Sequence, residues 1–371
     1  MDGLALRSET RVTRPARAER GEQVIAVLAP MSGSAGIWGP SCISCAQLAV
    51  SEVNDEGGID GAKLVPLFLD SDDENVGKLE SEIAGLIEDR TIAGVVGMNV
   101  SSVRQRLNKI IGGSIPYVYT PLYEGNEHSP NVYTIGETPV DQLEPAIRQL
   151  TEDLKVKNWA LIGNDYVWPR TSHSVARRRI AECGGNVVFD GYVPFGLNDA
   201  DWLVERIARA RPDIVLVSLV GQDAVEFNRA FGRMNLDRKM FRFSTAVDEN
   251  VLLATGEENT RRLFVASAYF SALKTPGNEE FKDRYRAIHN TRPPVLNALG
   301  QSMYEGVHFY SALRATEKTN EMPGHALGRK GRPVRYRSAR AGRYLSNDRK
   351  DLTIYLSRAD GHEFSILGEL S

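Results

Sequence analysis

The sequence predicts an α/β fold built from parallel sheets, and two observations carry this prediction. From Val24 onward, short runs rich in β-branched residues alternate with amphipathic stretches, as in repeated strand–helix units. The alternation begins again after about residue 137, which indicates a second, similar domain. A chain of 371 residues has room for two or three domains of ordinary size.

The first domain begins with a strand and a helix. VIAVLAP is typical of a buried strand, and after a glycine-rich turn Ser41 is expected to cap a helix that stops at Gly57. The cycle continues with the strands LVPLFLD, AGVVGM, PYVYTP and VYTIGE and with the helices LESEIAGLIEDR and VRQRLNKIIGG. These elements predict one sheet domain that is complete by about residue 137.

The second domain repeats this order. Its predicted strands are NWALIGNDY, GNVVFDGYVPF, PDIVLVSLVG and KMFRFST, and its predicted helices are SHSVARRRIAECGG, DADWLVERIARAR and AVEFNRAFGRM. The strand RLFVASAYFS and the helical stretch PVLNALGQSMYEGVHFYSALRATEK could extend either sheet. The tail is expected to form a β-hairpin that turns at residues 359–361.

Composition and charge exclude several classes of protein. A net charge of -3 gives no global attraction to nucleic acid or to an anionic membrane. No apolar run approaches the roughly 18 residues that span a bilayer. Residues 1–22 form a polar extension without the apolar core of a secretory signal, so we expect a cytoplasmic location, or a periplasmic one if the true start lies upstream. The three cysteines, an odd number, agree with a reducing compartment.

Signatures of common enzymes are missing from the sequence. It contains no GxxxxGK[ST] phosphate loop, no strand-linked GxGxxG, no HExxH and no GxSxG. The six histidines are dispersed, so no metal site is indicated, and no cofactor is expected. Cys42 and Cys45 form a CxxC inside a predicted helix, where small packing residues are the favoured interpretation. We therefore expect a protein that is not an enzyme.

One segment is strongly basic. Arginines and a lysine cluster between Arg329 and Arg343, with no acidic residue between Glu321 and Asp348. The segment could contact RNA, DNA or an acidic partner, or it could be the solvated edge of a β element that begins near Pro333. The solvated edge is the favoured interpretation.

Polar and aromatic residues follow several of the predicted strands. In open α/β sheets, ligands bind beyond the carboxyl ends of the strands. Asn99 and Ser101 follow AGVVGM, residues 120–125 follow PYVY, and residues 164–169 follow WALIG. Their hydroxyls, amides and rings suit a small, mostly neutral polar molecule.

Four stretches carry a resemblance to a known family: LAVSEVNDEGGIDG, YTPLYEGNEHSPNVYTIG, GNDYVWPR and AYFSALKTP. With them, residues 24–371 resemble the periplasmic-binding-protein-like type I family, and within it the branch of urea and short-chain amide receptors. The resemblance implies two Rossmann-like lobes that are joined by three crossover segments and close over the ligand. It implies a first lobe of residues 23–137 and about 266–330, and a second lobe of residues 138–265 and about 331–371.

The resemblance also implies where the ligand binds. Ser101 and Tyr119 match pocket residues of the first lobe, and Tyr166 matches a ring that covers the ligand. Asn99, Trp168 and Pro121 differ from the residues of the family's amide sensor. The predicted site as a whole comprises Asn99, Ser101, Tyr119, Thr120, Pro121, Tyr166, Trp168, Ser218, Leu219 and Thr245.

The charge of the ligand depends on one position of the predicted site. Related amino-acid receptors place an acidic residue against the ligand ammonium, because an unpaired buried charge costs several kcal/mol. In FSTAVDEN, Val247 stands at that position, although Asp248 or Glu249 could serve if the register differs. A small neutral amide or urea-like ligand is therefore favoured over an amino acid.

Two functions follow from the resemblance. The favoured one is a cytoplasmic amide sensor that closes on a short-chain amide and regulates amidase expression through a partner, which in the family's sensor is an RNA-binding antiterminator. The alternative is the substrate-binding component of an ABC importer for urea, amides or branched-chain amino acids. The sequence leaves the oligomeric state open, including a homo-oligomer.

Overall fold

The first lobe is built on a five-stranded sheet. A computed structural model describes residues 21–71, 77–289, 292–319 and 334–371. The strands of this sheet are β1 (Glu22–Ala29), β2 (Lys63–Asp70), β3 (Val95–Gly97), β4 (Tyr117–Tyr119) and β5 (Val132–Thr134). They are all parallel, in the order β2-β1-β3-β4-β5. Their carboxyl ends therefore meet at one edge of the lobe.

Five helices cover this sheet. They are α1 (Gly39–Asp55), α2 (Lys78–Glu88), α3 (Ser101–Ile111), α9 (Pro276–His289) and α10 (Ala298–Thr319). The helix α10 packs against α1, β3 and β4. The prediction that Ser41 caps α1 is wrong, because the helix begins two residues earlier, directly after a short 3-10 turn, with Pro40 in its first turn. The Ser41 hydroxyl instead donates to the Trp38 carbonyl at 2.9 Å.

The second lobe is built on a seven-stranded sheet. Its strands are β6 (Asn158–Asn164), β7 (Asn186–Val193), β8 (Ile214–Ser218), β9 (Phe241–Ser244), β10 (Leu263–Ser267), β13 (Ile354–Asp360) and β14 (Glu363–Leu370). The order is β14-β13-β10-β9-β8-β6-β7, and only β13 and β14 run antiparallel to their neighbours. The helices are α4 (Pro139–Leu154), α5 (Val167–Glu182), α6 (Asp201–Arg209), α7 (Gln222–Arg233) and α8 (Glu249–Thr255).

The structure confirms the predicted α/β fold with two parallel-sheet lobes. The stretch RLFVASAYFS joins the second sheet as β10, and the tail forms the predicted hairpin, with Gly361 in the turn between β13 and β14. Within the described ranges, no helix is both long and apolar enough to cross a membrane.

The chain passes between the lobes three times, after β5, after β10 and before β13. Ahead of the last passage, β11 (Arg343–Ser346) and β12 (Arg349–Asp351) form a two-stranded sheet. Between them, Asn347 accepts from the Thr134 N–H at 2.8 Å and donates to the Val132 carbonyl at 2.9 Å, and both residues belong to β5. The sequence-based division gave residues 331–371 to the second lobe, but we propose that residues 334–351 belong with the first.

Candidate ligand-binding site

A cavity lies where the carboxyl ends of the two sheets face each other. Its volume is about 60 Å³, several times what one ordered water needs. Its walls come from the residues after β3 and β4 in the first lobe and after β6, β9 and β10 in the second. Trp38 after β1, Glu137 after β5, Val220 after β8 and three residues of α10, Ala298, Leu299 and Ser302, also line the cavity. The location agrees with the rule that open α/β sheets bind ligands beyond their carboxyl ends.

Seven of the ten sequence-predicted site residues come together here: Asn99, Ser101, Tyr119, Pro121, Tyr166, Trp168 and Thr245. The structure places Thr120, Ser218 and Leu219 outside the lining. Thr120 is fully buried and its hydroxyl donates to the Gly97 carbonyl at 3.3 Å. Ser218 lies within the sheet in register with Gly163, and Leu219 packs in the apolar core, so the first residue after β8 to reach the cavity is Val220.

Hydrogen bonds and ion pairs fix the wall of the first lobe. The Tyr119 hydroxyl donates to the Asn99 carbonyl at 2.7 Å and lies 3.5 Å from the Ser101 hydroxyl. Behind the Tyr119 ring, the Arg104 guanidinium lies 4.8 Å from the ring centroid and pairs with Glu124 at 2.6 Å. These contacts hold Ser101, the first residue of α3, at the cavity wall.

Aromatic rings form much of the wall of the second lobe. The ring centroid of Tyr166 lies 6.2 Å from that of Trp168 and 5.2 Å from that of Phe195. Trp168 is buried, and its indole N–H finds no acceptor among the described residues. This wall offers a mainly apolar surface to a ligand.

An acidic side chain faces the cavity next to Val247. Both Val247 and Asp248 line it, so the carboxylate lies at one of the positions that the sequence analysis named as alternatives to Val247. Asp248 Oδ1 caps α8 by accepting from the Val251 N–H at 3.2 Å, whereas Oδ2 accepts no hydrogen bond from the described part of the chain. Burial raises the pKa of Asp248 to about 6, against the partial relief that the nearby Trp38 indole and backbone N–H groups give.

The neighbouring Glu249 is buried as well but does not line the cavity. Its Oε1 accepts from the Ser271 N–H at 2.7 Å. Burial, together with the nearby negative charge of Asp248, raises the pKa of Glu249 to about 7. Of the two carboxyl groups, only Asp248 can contact a ligand in this cavity.

Sequence reasoning missed several lining residues, among them Trp38, Glu137 and Tyr269. Trp38 follows the glycine-rich turn after β1, and Glu137 follows β5, so reading the residues after every strand would have found both. The Trp38 indole N–H and the Tyr269 hydroxyl are buried without a partner among the described residues. The described lining contains no lysine, arginine or histidine.

The two lobes contact each other beside the cavity. Ser34, in the turn after β1, donates from its hydroxyl to Asp223 Oδ1 at 3.1 Å, and its carbonyl accepts from the Gln222 N–H at 2.8 Å. Asn250 of the second lobe donates to the Ile37 carbonyl at 2.8 Å. The lobes are therefore in a closed arrangement around the cavity.

The basic segment is bound to acidic residues of the same chain. Arg337 pairs with Glu52 at 2.8 Å, Arg340 pairs with Glu305 at 2.7 Å, and Arg343 pairs with Asp351. Arg329, Lys330 and Arg332 lie outside the described residues. The described arginines do not form the unpaired basic face that nucleic-acid binding needs, and no set of metal-binding side chains occurs within the described ranges.

Comparison with known proteins identifies a family that this chain matches. The model of the family described as "Periplasmic binding protein" matches residues 22–359. "Leu/Ile/Val-binding protein homolog 7" of Brucella abortus (strain 2308) is 24% identical over 327 residues, which cover 80% of this chain and 76% of the relative. The "Leu/Ile/Val/Thr-binding protein" of Salmonella typhimurium is 26% identical over 195 residues, which cover 52% of this chain and 53% of the relative.

Solved structures share the fold over nearly the whole chain. An ABC transporter solute binding protein from R. palustris in complex with 4-hydroxybenzoate has a TM-score of 0.82 at 15% identity, covering 94% of this chain and 97% of that one. A branched-chain amino acid transporter substrate binding protein from Streptococcus pneumoniae in complex with isoleucine has a TM-score of 0.76 at 17% identity, covering 94% of this chain and 99% of that one. At these identities the likeness concerns the fold alone.

Proposed function

Because the chain belongs to the periplasmic binding protein family, we propose that it is the substrate-binding component of an ABC importer and that it takes a small amino acid. One observation carries the choice of ligand. The buried Asp248 lines a cavity whose described lining has no cationic side chain, so its carboxylate has no charged partner there, and the side-chain donor close to it is the neutral Trp38 indole. A ligand ammonium supplies the missing positive charge together with further hydrogen-bond donors.

The opposite group of an amino acid has a place in the first lobe. The helix α3 begins at Ser101, and both Val100 and Ser101 line the cavity. The first N–H groups of a helix point toward its amino end, where the helix dipole favours an anion. A ligand carboxylate beside Ser101 is thus held by hydrogen bonds and needs no basic side chain.

This proposal replaces the amide sensor that the sequence favoured. A neutral amide donates a hydrogen bond to Asp248 but leaves its negative charge unpaired in a buried position, which is costly. The names of the relatives refer to branched-chain amino acids, which supports the importer component over a sensor with an antiterminator partner. We accordingly propose a periplasmic location, as the family name implies, in place of the cytoplasmic one.

The experiment is a calorimetric titration of the protein with leucine, valine, asparagine, threonine, propionamide and 4-hydroxybenzoate. We expect at least one amino acid to bind more tightly than propionamide and 4-hydroxybenzoate. Asp248→Asn should weaken the binding of that amino acid by at least about thirtyfold, equivalent to about 2 kcal/mol, because the substitution removes the charged partner of the ammonium.

Glu249→Gln is the matched control, because it neutralises the adjacent buried carboxyl group, which does not line the cavity. The affinity of this variant for the amino acid should stay within about threefold of the wild-type affinity. Tighter binding of propionamide than of any amino acid, or equal losses in the two variants, would contradict the proposed function.

A further inference from the structure

A second carboxylate faces the cavity, at the first passage between the lobes. Glu137 lines the cavity, and its side chain is 6% exposed. Its Oε1 accepts from the Ala268 N–H at 3.1 Å and from Arg340 Nη1 at 3.2 Å. Its Oε2 accepts no hydrogen bond from the described residues. A nearly buried carboxylate therefore keeps one acceptor atom for a group inside the cavity.

The charge of Glu137 is already compensated from behind. Arg340 is 2% exposed and bridges Glu137 to Glu305, whose Oε2 it contacts at 2.7 Å. Lys350 is also near Glu137, and burial lowers its pKa to about 8, so it still carries a positive charge at neutral pH. Gln301 donates to Glu305 at 2.5 Å. Because the Arg340 guanidinium contacts Glu137 directly, what Oε2 lacks is a hydrogen-bond donor rather than a countercharge.

We propose that Glu137 forms a second ligand subsite, in which Oε2 accepts a hydrogen bond from a neutral donor on the side chain of the ligand. This rests on the proposed function, in which Asp248 holds the ammonium of an amino acid. Among the neutral donors of amino-acid side chains, a carboxamide and an aliphatic hydroxyl are the small strong ones, whereas the indole and imidazole N–H groups sit on bulky rings and the thiol is a weak donor. The subsite thus selects a polar, uncharged amino acid over an apolar one of the same size.

Two isosteric pairs of amino acids test the subsite. Asparagine and leucine have side chains of the same branched shape, as do threonine and valine, so each pair differs mainly in the donor. We expect the wild-type protein to bind the polar member of at least one pair about tenfold more tightly, because a hydrogen bond to a buried charged acceptor outweighs the loss of hydration. Tighter binding of the apolar member in both pairs would overturn the subsite.

Matched variants separate ligand contact from a structural role. Glu137→Met and Glu305→Met each remove one carboxylate partner of Arg340, but within the described lining only Glu137 reaches the cavity. Glu137→Met should reduce the preference for the polar member to less than threefold, and Glu305→Met should keep it. Leucine affinity reports whether each variant still folds and closes, because leucine offers no side-chain donor. Equal loss of the preference in both variants would overturn the proposal.

Failure of the subsite and failure of the proposed function give different results. One outcome is that leucine and valine bind, with an affinity that depends on Asp248, whereas asparagine and threonine do not bind. The subsite is then overturned and the amino-acid importer stands. If none of the four binds, both proposals are overturned.

Discussion

At the scale of single residues, the chemistry of the cavity depends on a carboxyl group that titrates close to neutral pH. Burial raises the pKa of Asp248 to about 6, from an ordinary value near 4. Only the ionised carboxylate attracts an ammonium, whereas the protonated form is neutral. Ligand binding must therefore expel a proton from Asp248 when the pH lies below its pKa.

This linkage predicts how affinity changes with pH. The amino-acid ammonium stays charged throughout, so lowering the pH from 7 to 5 should weaken binding by about tenfold as Asp248 takes up a proton. Affinity should change little between pH 7 and pH 8. Calorimetric titration at several pH values across this range measures the affinity, and in Asp248→Asn the affinity should no longer depend on pH. An equally steep pH dependence in that variant would assign the titration to another group, such as Glu249.

Residue-level prediction from the sequence depended on how close the site residues lie to recognisable strands. Ser101 and Tyr166 follow strands whose patterns are clear, Tyr119 is the last residue of such a strand, and all three line the cavity. Asp248 was named only as an alternative to Val247, because a difference of one position in a loop decides which side chain faces inward. Sequence alone does not fix that register, since it depends on how α8 is capped.

At the scale of the elements, closure of the two lobes depends on a close contact between Gly221 of the second lobe and the turn that follows β1. Gly221, just before α7, has a φ of +51°, and a Cβ there would lie 2.0 Å from the Ser34 carbonyl oxygen in the other lobe. No side chain fits between these backbones. The absence of a Cβ at this glycine is therefore what allows the two lobes to approach at this point.

Gly221→Ala should weaken ligand binding by about tenfold, because the added methyl group opposes the closed arrangement to which the ligand binds. Gly184→Ala is the control: its φ is +75° and no described atom lies within 4 Å of the Cβ position, so it adds backbone strain without a contact between lobes. Its affinity should match that of the wild type. Equal affinities in the two variants would show that the Ser34 contact does not limit closure.

The elements differ in how visible they are in the sequence. Strands such as β1 and β8 are continuous apolar runs because helices cover both faces of their sheets, and they were predicted. The helices α4, α8 and α9 were not predicted. The first contains Pro145 in its interior, the second has only seven residues, and the third is largely polar. Packing against the rest of the lobe stabilises them beyond their local preferences.

At the scale of the whole molecule, one buried cation joins three distant parts of the chain. Arg340 belongs to the segment that precedes β11, pairs with Glu305 of α10, and reaches Glu137 between β5 and α4. The sequence showed this arginine only as a member of a basic segment. Its partners lie 35 and 203 positions away along the chain, so no local pattern could reveal them.

Arg340→Met should lower the free energy of unfolding by about 3–5 kcal/mol, because it leaves Glu137 and Glu305 buried without their shared cation. Arg343→Met is the matched control, since that arginine is 58% exposed and its partner Asp351 is 56% exposed; the expected loss is below about 1 kcal/mol. Urea denaturation followed by circular dichroism measures both changes. Equal losses in the two variants would show that the buried ion pairs do not stabilise the junction of the lobes. The expected difference would instead identify Arg340 as the residue that fixes the C-terminal segment against both the crossover and the cavity wall.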